Sequence, residues 1–504
     1  MKNILELLER SAMKFPQKTA FTCENDALNY ENLVTEAKSI GIAVAEKYSV
    51  RNKPVAVFLP RGVECLVGMF GVVYSGNFYT VVDYEMPEER IRSVFDTLNP
   101  IAVITDKNGA EKIASLKTDT LLFDELKNTP IHSELLKNIR DKSIDTDPVY
   151  ALFTSGSTGV PKGAVLCHKN VLSYSKWFVD TFEISEATVF GSQTPFYFSM
   201  SVSDVFGTLR AGATLHIIPK KYFSFPVPLI NYLNERRVNT IYWVPSALCI
   251  LANWKALDYV KPQYIQKVLF AGEVMPTKQL NYWIEQLPNA QFANLFGPTE
   301  TTDICTYYVV DRKFNDTETL PIGKACNNCD VFVINNDGKL AETGEEGELY
   351  ARGSFLAMGY YSNPKKTEEA FVQNPINPFY PEIVYKTGDL VKYNENGELI
   401  YITRKDFQIK HMGYRIELGE VEAAANAMPR VTACSAIYDA ESDKIVLIVT
   451  GKKLNNDEMI TYLKKLLPDY MMPGEIIKIA AMPYNSNGKI DRKWLSANYK
   501  TFKK

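Results

Sequence analysis

The stretch that decides the fold is LFTSGSTGVPKGAVLCHKN, residues 152–170. Residues 154–163 place hydroxyls, glycines and one lysine directly after an apolar run. Gly, Ser, Thr and Pro all favour turns, so one interpretation is a plain surface loop. The other is a loop that wraps a polyphosphate, because hydroxyls, backbone N–H groups and a lysine all bind phosphate oxygens. The stretch by itself leaves both interpretations open.

The spacing of this loop excludes the P-loop of the common nucleoside triphosphatases. That motif needs a glycine, four further residues and then Gly-Lys-Ser/Thr. Here the fifth residue after Gly156 is Pro161, and Lys162 is followed by Gly163. The remaining motifs of the chain therefore carry the functional interpretation.

The composition is that of a globular protein with more than one domain. The chain has 504 residues, of which 46% are hydrophobic and 23% charged, and chains of this length usually divide. Its 56 basic and 59 acidic residues leave a net charge of −3, which gives no electrostatic case for nucleic acid or an anionic membrane as a partner. Charged residues interrupt the amphipathic N-terminal pattern, and no run approaches the roughly 18 apolar residues of a membrane span. We expect a cytoplasmic protein without a nucleic-acid or membrane partner.

The eight cysteines are scattered, and one pair, Cys326 and Cys329, forms a C-x-x-C. A structural zinc site needs a second pair or nearby histidines, and the chain has four histidines in all. We expect reduced, mostly buried thiols, as in cytosolic proteins.

Short apolar runs alternate with helical patterns in the first four fifths of the chain. Such alternation predicts α/β layers with largely parallel sheets. The predicted strands are residues 53–60, 78–84, 100–107, 147–155 and 239–246.

A domain boundary is predicted near Arg404. The segment after it reads as a helix, two strands and a second helix that runs to Pro473, which is a compact α+β unit. The predicted domains are residues 1–403 and 404–504.

Five further stretches carry polar groups that a plain loop does not need. They are NLFGPTETTD (294–303), YKTGDL (385–390), TRKDFQIKHMGYRIELGE (403–420), LPDYMMP (467–473) and NSNGKIDRKWL (485–495). In this order, with TSGSTGVPKG before them, they resemble the adenylate-forming superfamily of peptide synthetase adenylation domains, acyl-CoA synthetases and firefly luciferase. The likeness is greatest to freestanding adenylation domains of the peptide synthetase type and to D-alanine–carrier protein ligases, and it extends from LNYENL (28–33) to NGKIDRK (487–493).

The resemblance implies a fold and an activity. The fold is α/β, with a large N-terminal domain of stacked α/β sheets and a small barrel-like β part, plus a small mobile C-terminal α+β domain. The activity is ATP- and Mg²⁺-dependent conversion of a small carboxylic acid into an acyl-adenylate, followed by transfer to the phosphopantetheine thiol of a separate carrier protein. No carrier domain follows the last motif, so a freestanding ligase is predicted.

The resemblance also assigns roles to residues that bind ATP and metal. Thr154, Ser155, Gly156, Thr158 and Lys162 would hold the β- and γ-phosphates, with Thr299 on the α-phosphate and Glu300 on Mg²⁺. Asn294, Phe296 and Tyr401 would flank the nucleoside, and Asp389 and Arg404 would bind the ribose.

Two lysines are assigned to the two half-reactions. Lys489 would bridge the carboxylate and the α-phosphate during adenylation. Lys410 would serve thioester formation after the small domain rotates about Asp406, because an element end is the usual place for a hinge.

The predicted acid pocket is where this sequence departs from its relatives. Ser199 stands where the family has an aspartate that binds an α-ammonium group, and Ala271 stands where D-alanine ligases carry a cysteine. A neutral hydroxyl does not pair a buried ammonium, and an unpaired buried charge costs several kcal/mol. The other predicted lining residues are Met200, Ser203, Trp243, Leu269, Leu295, Asp303 and Ile304.

Asp303 offers a carboxylate in a pocket that is otherwise predicted to be apolar and aromatic. It would accept a hydrogen bond from a distal amine or hydroxyl of the substrate. The alternative is that Asp303 caps a local turn.

Three other functions remain open from the sequence. Within the superfamily, D-alanine ligation ranks below an aryl acid or a β- or distal-amino acid, and an acyl-CoA ligase is the runner-up. A non-catalytic nucleotide binder is a different class, and the retention of Lys162, Glu300, Asp389 and Lys489 argues against it.

Overall fold

The computed structural model describes residues 1–154, 161–405, 408–452, 454–484 and 490–502. Its strands are β1 (Thr19–Cys23), β2 (Asp26–Asn29), β3 (Pro54–Phe58), β4 (Phe78–Val81), β5 (Ala102–Thr105), β6 (Thr120–Leu122), β7 (Pro148–Thr154), β8 (Lys162–Cys167), β9 (Val189–Ser192), β10 (Thr214–Ile217), β11 (Thr240–Trp243), β12 (Lys267–Ala271), β13 (Gln291–Phe296), β14 (Thr306–Val309), β15 (Lys324–Ala325), β16 (Cys329–Ile334), β17 (Gly347–Gly353), β18 (Gly359–Tyr360), β19 (Phe371–Gln373), β20 (Ile383–Tyr393), β21 (Leu399–Arg404), β22 (Gln408–His411), β23 (Tyr414–Glu417), β24 (Val431–Asp439), β25 (Lys444–Gly451) and β26 (Glu475–Lys478).

The helices lie between these strands. They are α1 (Leu5–Lys14), α2 (Tyr30–Tyr48), α3 (Val63–Tyr74), α4 (Glu88–Leu98), α5 (Lys107–Lys112), α6 (Phe123–Leu126), α7 (Ser133–Lys142), α8 (His168–Thr181), α9 (Ser201–Ala211), α10 (Pro226–Glu235), α11 (Pro245–Asn253), α12 (Ala256–Tyr259), α13 (Thr277–Gln286), α14 (Pro364–Ala370), α15 (Leu418–Asn426), α16 (Asn456–Leu463) and α17 (Arg492–Asn498). In the described ranges, no helix combines the length and the apolar character needed to cross a bilayer.

The chain divides into two compact units. The larger comprises residues 1–84, 99–152 and 163–403, and the smaller comprises residues 85–98, 153–162 and 404–504. The division between 403 and 404 falls where the sequence predicted a boundary. The assignment of residues 85–98 and 153–162 to the smaller unit was not predicted.

The larger unit contains two wide sheets with parallel centres. Across the described residues, a nine-stranded sheet has the order β15-β14-β13-β12-β11-β9-β10-β1-β2, and a seven-stranded sheet has the order β18-β8-β7-β4-β3-β5-β6. In the nine-stranded sheet, parallel pairs join β1, β10, β9, β11, β12 and β13. In the seven-stranded sheet, parallel pairs join β7, β4, β3, β5 and β6. Antiparallel pairs lie toward the outer strands. Buried parallel strands read as continuous apolar runs, which is why the sequence predicted them. The α/β prediction is confirmed.

A third sheet of the larger unit is antiparallel. Its described strands follow the path β16-β17-β20-β19, with β21 paired to β20. This sheet corresponds to the small β part that the resemblance implied. Among the described strands it is an open sheet in which β20 pairs with three others, β17, β19 and β21.

The smaller unit has its own core. A three-stranded sheet β24-β25-β26 carries Leu447 and Val449, which belong to one buried cluster with Val421 of α15 and with Met459 and Leu463 of α16. Helix α16 ends at Leu463, well before the predicted end at Pro473. A proline lacks the N–H that a helix interior needs, so the nearer Pro468 already prevents continuation.

Candidate active site

The predicted acid-binding residues lie at or near the carboxyl ends of the parallel strands of the nine-stranded sheet. Strands β9, β11, β12 and β13 are parallel neighbours and end at Ser192, Trp243, Ala271 and Phe296. In open α/β sheets, ligands bind outside the carboxyl ends of the strands. The chain after β13, which contains the GPTE motif, turns back across these strand ends.

Gly297 allows that turn because no side chain fits at its position. A Cβ atom there would lie 2.4 Å from the Asp303 carbonyl oxygen and 2.7 Å from the Cys305 nitrogen. The close approach lets the Cys305 N–H donate to the Phe296 carbonyl at 2.9 Å. The loop from 297 to 304 is therefore closed on itself beside the end of β13.

Thr302 holds the loop in a strained conformation next to Asp303. Its φ is 70° and its ψ is −52°, and the Asp303 N–H donates to the Thr301 carbonyl at 2.8 Å. This is the positive-φ γ-turn, which is rare and costs a β-branched residue free energy. The Thr302 hydroxyl donates to the Phe355 carbonyl at 2.8 Å, which stabilises the turn. Strain of this kind concentrates at functional sites.

Asp303 accepts hydrogen bonds from three hydroxyls that come from distant parts of the chain. Its Oδ2 atom lies 3.0 Å from the Tyr174 hydroxyl, 2.9 Å from the Ser203 hydroxyl and 3.0 Å from the Tyr242 hydroxyl. The donors stand on α8, α9 and β11, and Asp303 is 1% exposed. We call these four residues the Asp303 cluster. Because the side chain binds long-range donors, the alternative of a local turn cap is wrong, and the surroundings are richer in hydroxyls than predicted.

The protonation of Asp303 reflects two opposed effects. Burial raises the pKa of its carboxyl to about 6, while the hydroxyls of Ser203, Tyr174 and Tyr242 favour the ionised form and limit the rise. The carboxyl is therefore largely ionised at neutral pH.

Ser199 is near both Asp303 and Thr299, the residue predicted to contact the α-phosphate. The Thr299 hydroxyl donates to Ser199 Oγ at 3.4 Å, and the Ser199 hydroxyl also helps to keep Asp303 ionised. Ser199 is half-buried. The position where the family has an aspartate is thus next to the residue predicted to contact the α-phosphate.

Trp243, which was predicted to line the acid pocket, ends β11 directly after Tyr242 of the Asp303 cluster. Its indole N–H donates to the Gly191 carbonyl at 2.7 Å, and its ring packs edge-on against Phe223 with 5.2 Å between centroids. Neighbouring residues of a strand point to opposite faces, so Tyr242 rather than Trp243 faces the cluster.

The other predicted pocket residues pack closely at the same edge of the sheet. Each is at most 4% exposed, and the set comprises Met200, Leu269, Ala271, Leu295 and Ile304.

Glu300, the predicted metal ligand, is fully buried in the 3₁₀ turn Thr299–Thr301. The Tyr360 hydroxyl donates to its Oε1 atom at 2.5 Å. Strand β18 positions Tyr360 by pairing with Ala164 of β8. Tyr360 was not predicted from the sequence, because its contact with Glu300 spans 60 residues.

Asp389 stands in a bulge of β20. Pairing with β17 runs from Glu348 opposite Leu390 to Tyr350 opposite Lys386, so extra residues of β20 are left between the two pairs. Gly388 makes this possible with φ 78°, and the Asp389 N–H donates to the Thr387 hydroxyl at 3.0 Å. Bulges re-aim side chains near active sites.

Two residues predicted to flank the nucleoside lie together. The rings of Phe296 and Tyr401 have centroids 5.8 Å apart. Asn294 is buried on β13, and its amide donates to the Pro321 carbonyl at 2.7 Å.

Several predicted site residues belong to the smaller unit or to its boundary, and others are not described. Thr154 and Lys162 belong to the smaller unit, where the Thr154 hydroxyl lies 3.5 Å from the Lys162 carbonyl. Arg404 ends β21 and Lys410 lies on β22. Ser155, Gly156, Thr158, Asp406 and Lys489 lie outside the described residues.

The sequence profile of the family described as AMP-binding enzyme matches residues 8–361. The chain belongs to that family. The adenylate-forming resemblance is therefore confirmed, and the same match supports assignment of this AMP-binding enzyme as an adenylate-forming ligase. Enzymes of the family use ATP and generally require Mg²⁺.

This AMP-binding enzyme is similar to two kinds of curated protein. It is 30% identical to tyrocidine synthase 1 of Brevibacillus parabrevis, over 98% of this chain and 45% of that protein. It is also 30% identical to D-alanine–D-alanyl carrier protein ligase of Bacillus cereus (strain G9842), over 98% of both. The chain thus spans less than half of the peptide synthetase and nearly all of the carrier protein ligase.

The fold of this AMP-binding enzyme is shared with solved adenylation domains. A peptide synthetase protein that contains adenylation and carrier domains, holo-PA1221, superposes with a TM-score of 0.84 at 21% identity, over 99% of this chain and 84% of that one.

Proposed function

We propose that this AMP-binding enzyme activates a small carboxylic acid that is not a standard α-amino acid. The acid is converted with ATP into an acyl-adenylate and then transferred to the phosphopantetheine thiol of a separate carrier protein. The observation that carries the substrate proposal is the Asp303 cluster, which sets a carboxylate beyond Ser199.

Activation requires the acid to attack the α-phosphate of ATP while pyrophosphate leaves. Little covalent chemistry is asked of the protein, so it acts by positioning and by stabilising charge on the phosphate oxygens. Thr299 would supply a hydrogen-bond donor for the phosphates. Asp389 would hold the ribose, and Phe296 with Tyr401 would offer apolar faces to the nucleoside.

The residues present fit a magnesium ion bound together with the phosphates. In the described ranges there is no group of three or more His, Cys, Asp or Glu that could hold a metal by itself. Mg²⁺ is usually bound by one or two carboxylates plus substrate phosphates. Glu300 would supply such a carboxylate, and Tyr360 fixes its orientation. When bound, the ion neutralises charge on the phosphate oxygens.

The substrate class follows from where the negative charge lies. Ser199 is next to Thr299, close to where the reacting carboxyl would sit, and it has no charge for an α-ammonium group. Asp303 lies deeper and accepts hydrogen bonds, so it suits an amine or hydroxyl held away from the α-carbon. A β-amino acid or a hydroxy- or aminobenzoate has this arrangement. The close packing of the lining residues favours compact acids.

A pyrophosphate-exchange screen over α-amino, β-amino and aryl acids tests this proposal. We expect D-alanine to have about a ten- to hundredfold lower kcat/KM than the preferred acid, since a charge-assisted hydrogen bond is worth about 1.5–3 kcal/mol. Asp303→Ala should lower kcat/KM for the preferred acid more than for the other acids. Ser199→Asp with Asp303→Ser, which moves the carboxylate back, should raise activity on α-amino acids. A clear preference of the unaltered enzyme for D-alanine would overturn the substrate proposal.

The pH dependence gives a second test of Asp303. Its carboxyl loses its charge below about pH 6, so we expect KM for the preferred acid to rise as the pH falls through this value. Asp303→Asn removes the titration and is the control. The ratio of kcat/KM between the unaltered enzyme and the variant should decline between pH 7 and pH 5. Parallel profiles for the two proteins would contradict the assigned role.

D-alanine–carrier protein ligation is the second candidate. The match over 98% of both chains to such a ligase favours it. The exchange screen separates it from the leading proposal, and offering the adenylate to coenzyme A or to a holo-carrier protein separates an acyl-CoA ligase from both.

A further inference from the structure

Arg61, which was not among the predicted site residues, binds the backbone at the edge where the acid pocket is proposed. Its Nε donates to the Thr194 carbonyl at 3.1 Å, its Nη1 to the Ile218 carbonyl at 2.8 Å, and its Nη2 to the Ser192 carbonyl at 3.0 Å. The same Nη2 lies 3.3 Å from Ser192 Oγ. The acceptors stand at or just beyond the ends of β9 and β10.

The Thr194 and Ile218 carbonyls lie beyond the ends of their strands, while the Ser192 carbonyl ends β9 and also accepts the Ile218 N–H at 3.0 Å. A guanidinium offers five N–H groups in a fixed planar fork, and hydrogen bonds from a charged donor are stronger than neutral ones. The guanidinium also lies over the ring of buried Phe196, 5.5 Å from its centroid. Arg61 thus holds the first part of the segment that leads from β9 to Ser199 and α9.

Asp204 is a buried carboxyl of the pocket helix that senses the Arg61 charge. It lies in the first turn of α9, directly after Ser203 of the Asp303 cluster, and is 0% exposed. Within the described ranges no hydrogen bond of ordinary geometry reaches its carboxyl oxygens. The Ser192 hydroxyl and the Arg61 charge are near enough to favour its ionised form, against burial, which raises its pKa to about 8. The Arg61 charge therefore limits, without cancelling, the rise in the pKa of this buried carboxyl.

We propose that Arg61 is a positioning residue for the acid pocket, holding the end of β9 and Phe196 so that the segment leading to Ser199 keeps its place. This inference rests on the proposed function. Arg61 is assigned no contact with substrate, and it acts through the segment that it binds.

The test compares Arg61→Met and Arg61→Lys with the unaltered enzyme in pyrophosphate exchange, varying the acid and ATP separately. Arg61→Met should raise KM for the acid by about tenfold or more, as expected for lost charge-assisted hydrogen bonds. Arg61→Lys keeps the charge without the fork and should show a smaller rise. KM for ATP should change by less than about twofold, because the predicted ATP-binding residues lie on other segments.

Arg210→Met is the matched control. Arg210 is also on α9 and also binds neighbouring oxygen atoms, with Nε 3.1 Å from Ser175 Oγ and Nη2 2.7 Å from the Leu172 carbonyl. Its partners lie on α8, away from the 192–200 segment. Its loss should lower stability and leave the ratio of the two KM values unchanged.

A second measurement does not depend on activity. Hydrogen–deuterium exchange of residues 193–200 should be faster in Arg61→Lys than in the unaltered protein, and unchanged in Arg210→Met. An unchanged hydrogen–deuterium exchange rate of residues 193–200 in Arg61→Lys would overturn the positioning role. An unchanged ratio of the KM values for acid and ATP would also overturn it. If the unaltered enzyme shows no pyrophosphate exchange with any acid, that result would instead contradict the proposed function.

Discussion

Replacing Glu300 by Gln is expected to reduce pyrophosphate exchange by about 100-fold or more, as loss of a fixed charge-stabilising group does in other enzymes. Glu300 is completely buried, and its carboxylate receives the Tyr360 hydroxyl at 2.5 Å. Gln has nearly the same shape, so the change removes the charge while the turn after Gly297 is kept. The measurement is exchange rate as a function of Mg²⁺ concentration, and the Mg²⁺ requirement should rise.

Tyr360→Phe separates orientation from charge. It removes the hydroxyl that orients Glu300, and loss of such an outer partner typically costs about 10- to 100-fold. Tyr361→Phe removes the neighbouring hydroxyl and should leave exchange close to that of the unaltered enzyme. Exchange within about threefold of normal in Glu300→Gln, with an unaltered Mg²⁺ requirement, would contradict the role assigned to Glu300.

Loss of Lys489 and loss of Lys410 are expected to affect different half-reactions. Lys489→Ala should lower acid-dependent exchange by about 100- to 1,000-fold, because a positive charge on the reacting carboxylate and α-phosphate would be lost. Lys410→Ala should leave exchange largely intact and slow transfer to the carrier thiol. Lys410 lies on β22, opposite Arg415 of β23, on a hairpin of the smaller unit.

The two half-reactions are measured separately, by exchange and by single-turnover transfer from preformed adenylate. Lys464→Ala, which alters an exposed lysine just after α16, is the matched control and should change neither. Similar losses in both half-reactions for both lysine variants would contradict their separate assignment.

Local motifs were predictable because their chemistry is local. A glycine that permits close approach marks the GPTE turn, and a glycine with positive φ forms the bulge that presents Asp389. Both residues act through the backbone of their own few neighbours, so a short pattern is sufficient to identify them. The alternation of apolar runs and helices likewise predicted the parallel sheets.

The identity of the pocket residues was less predictable. Residues 241–244 of NTIYWVPS are all hydrophobic and β11 is fully buried, so no alternation shows which side chain points to which face. Only the structure shows that Tyr242 of this strand reaches Asp303.

The amino-acid sequence by itself determined the superfamily, the α/β class and the segments that carry the nucleotide motifs, since these depend on neighbours in the chain. Only the tertiary structure decided which groups surround Asp303. Its three donors are 129, 100 and 61 residues away, and they meet because α8, α9 and β11 reach the same edge of the sheet. Arg61 and its carbonyl acceptors are likewise more than 130 residues apart. A hydrogen bond depends on distance in space, and the order of the strands, which no local pattern specifies, sets that distance.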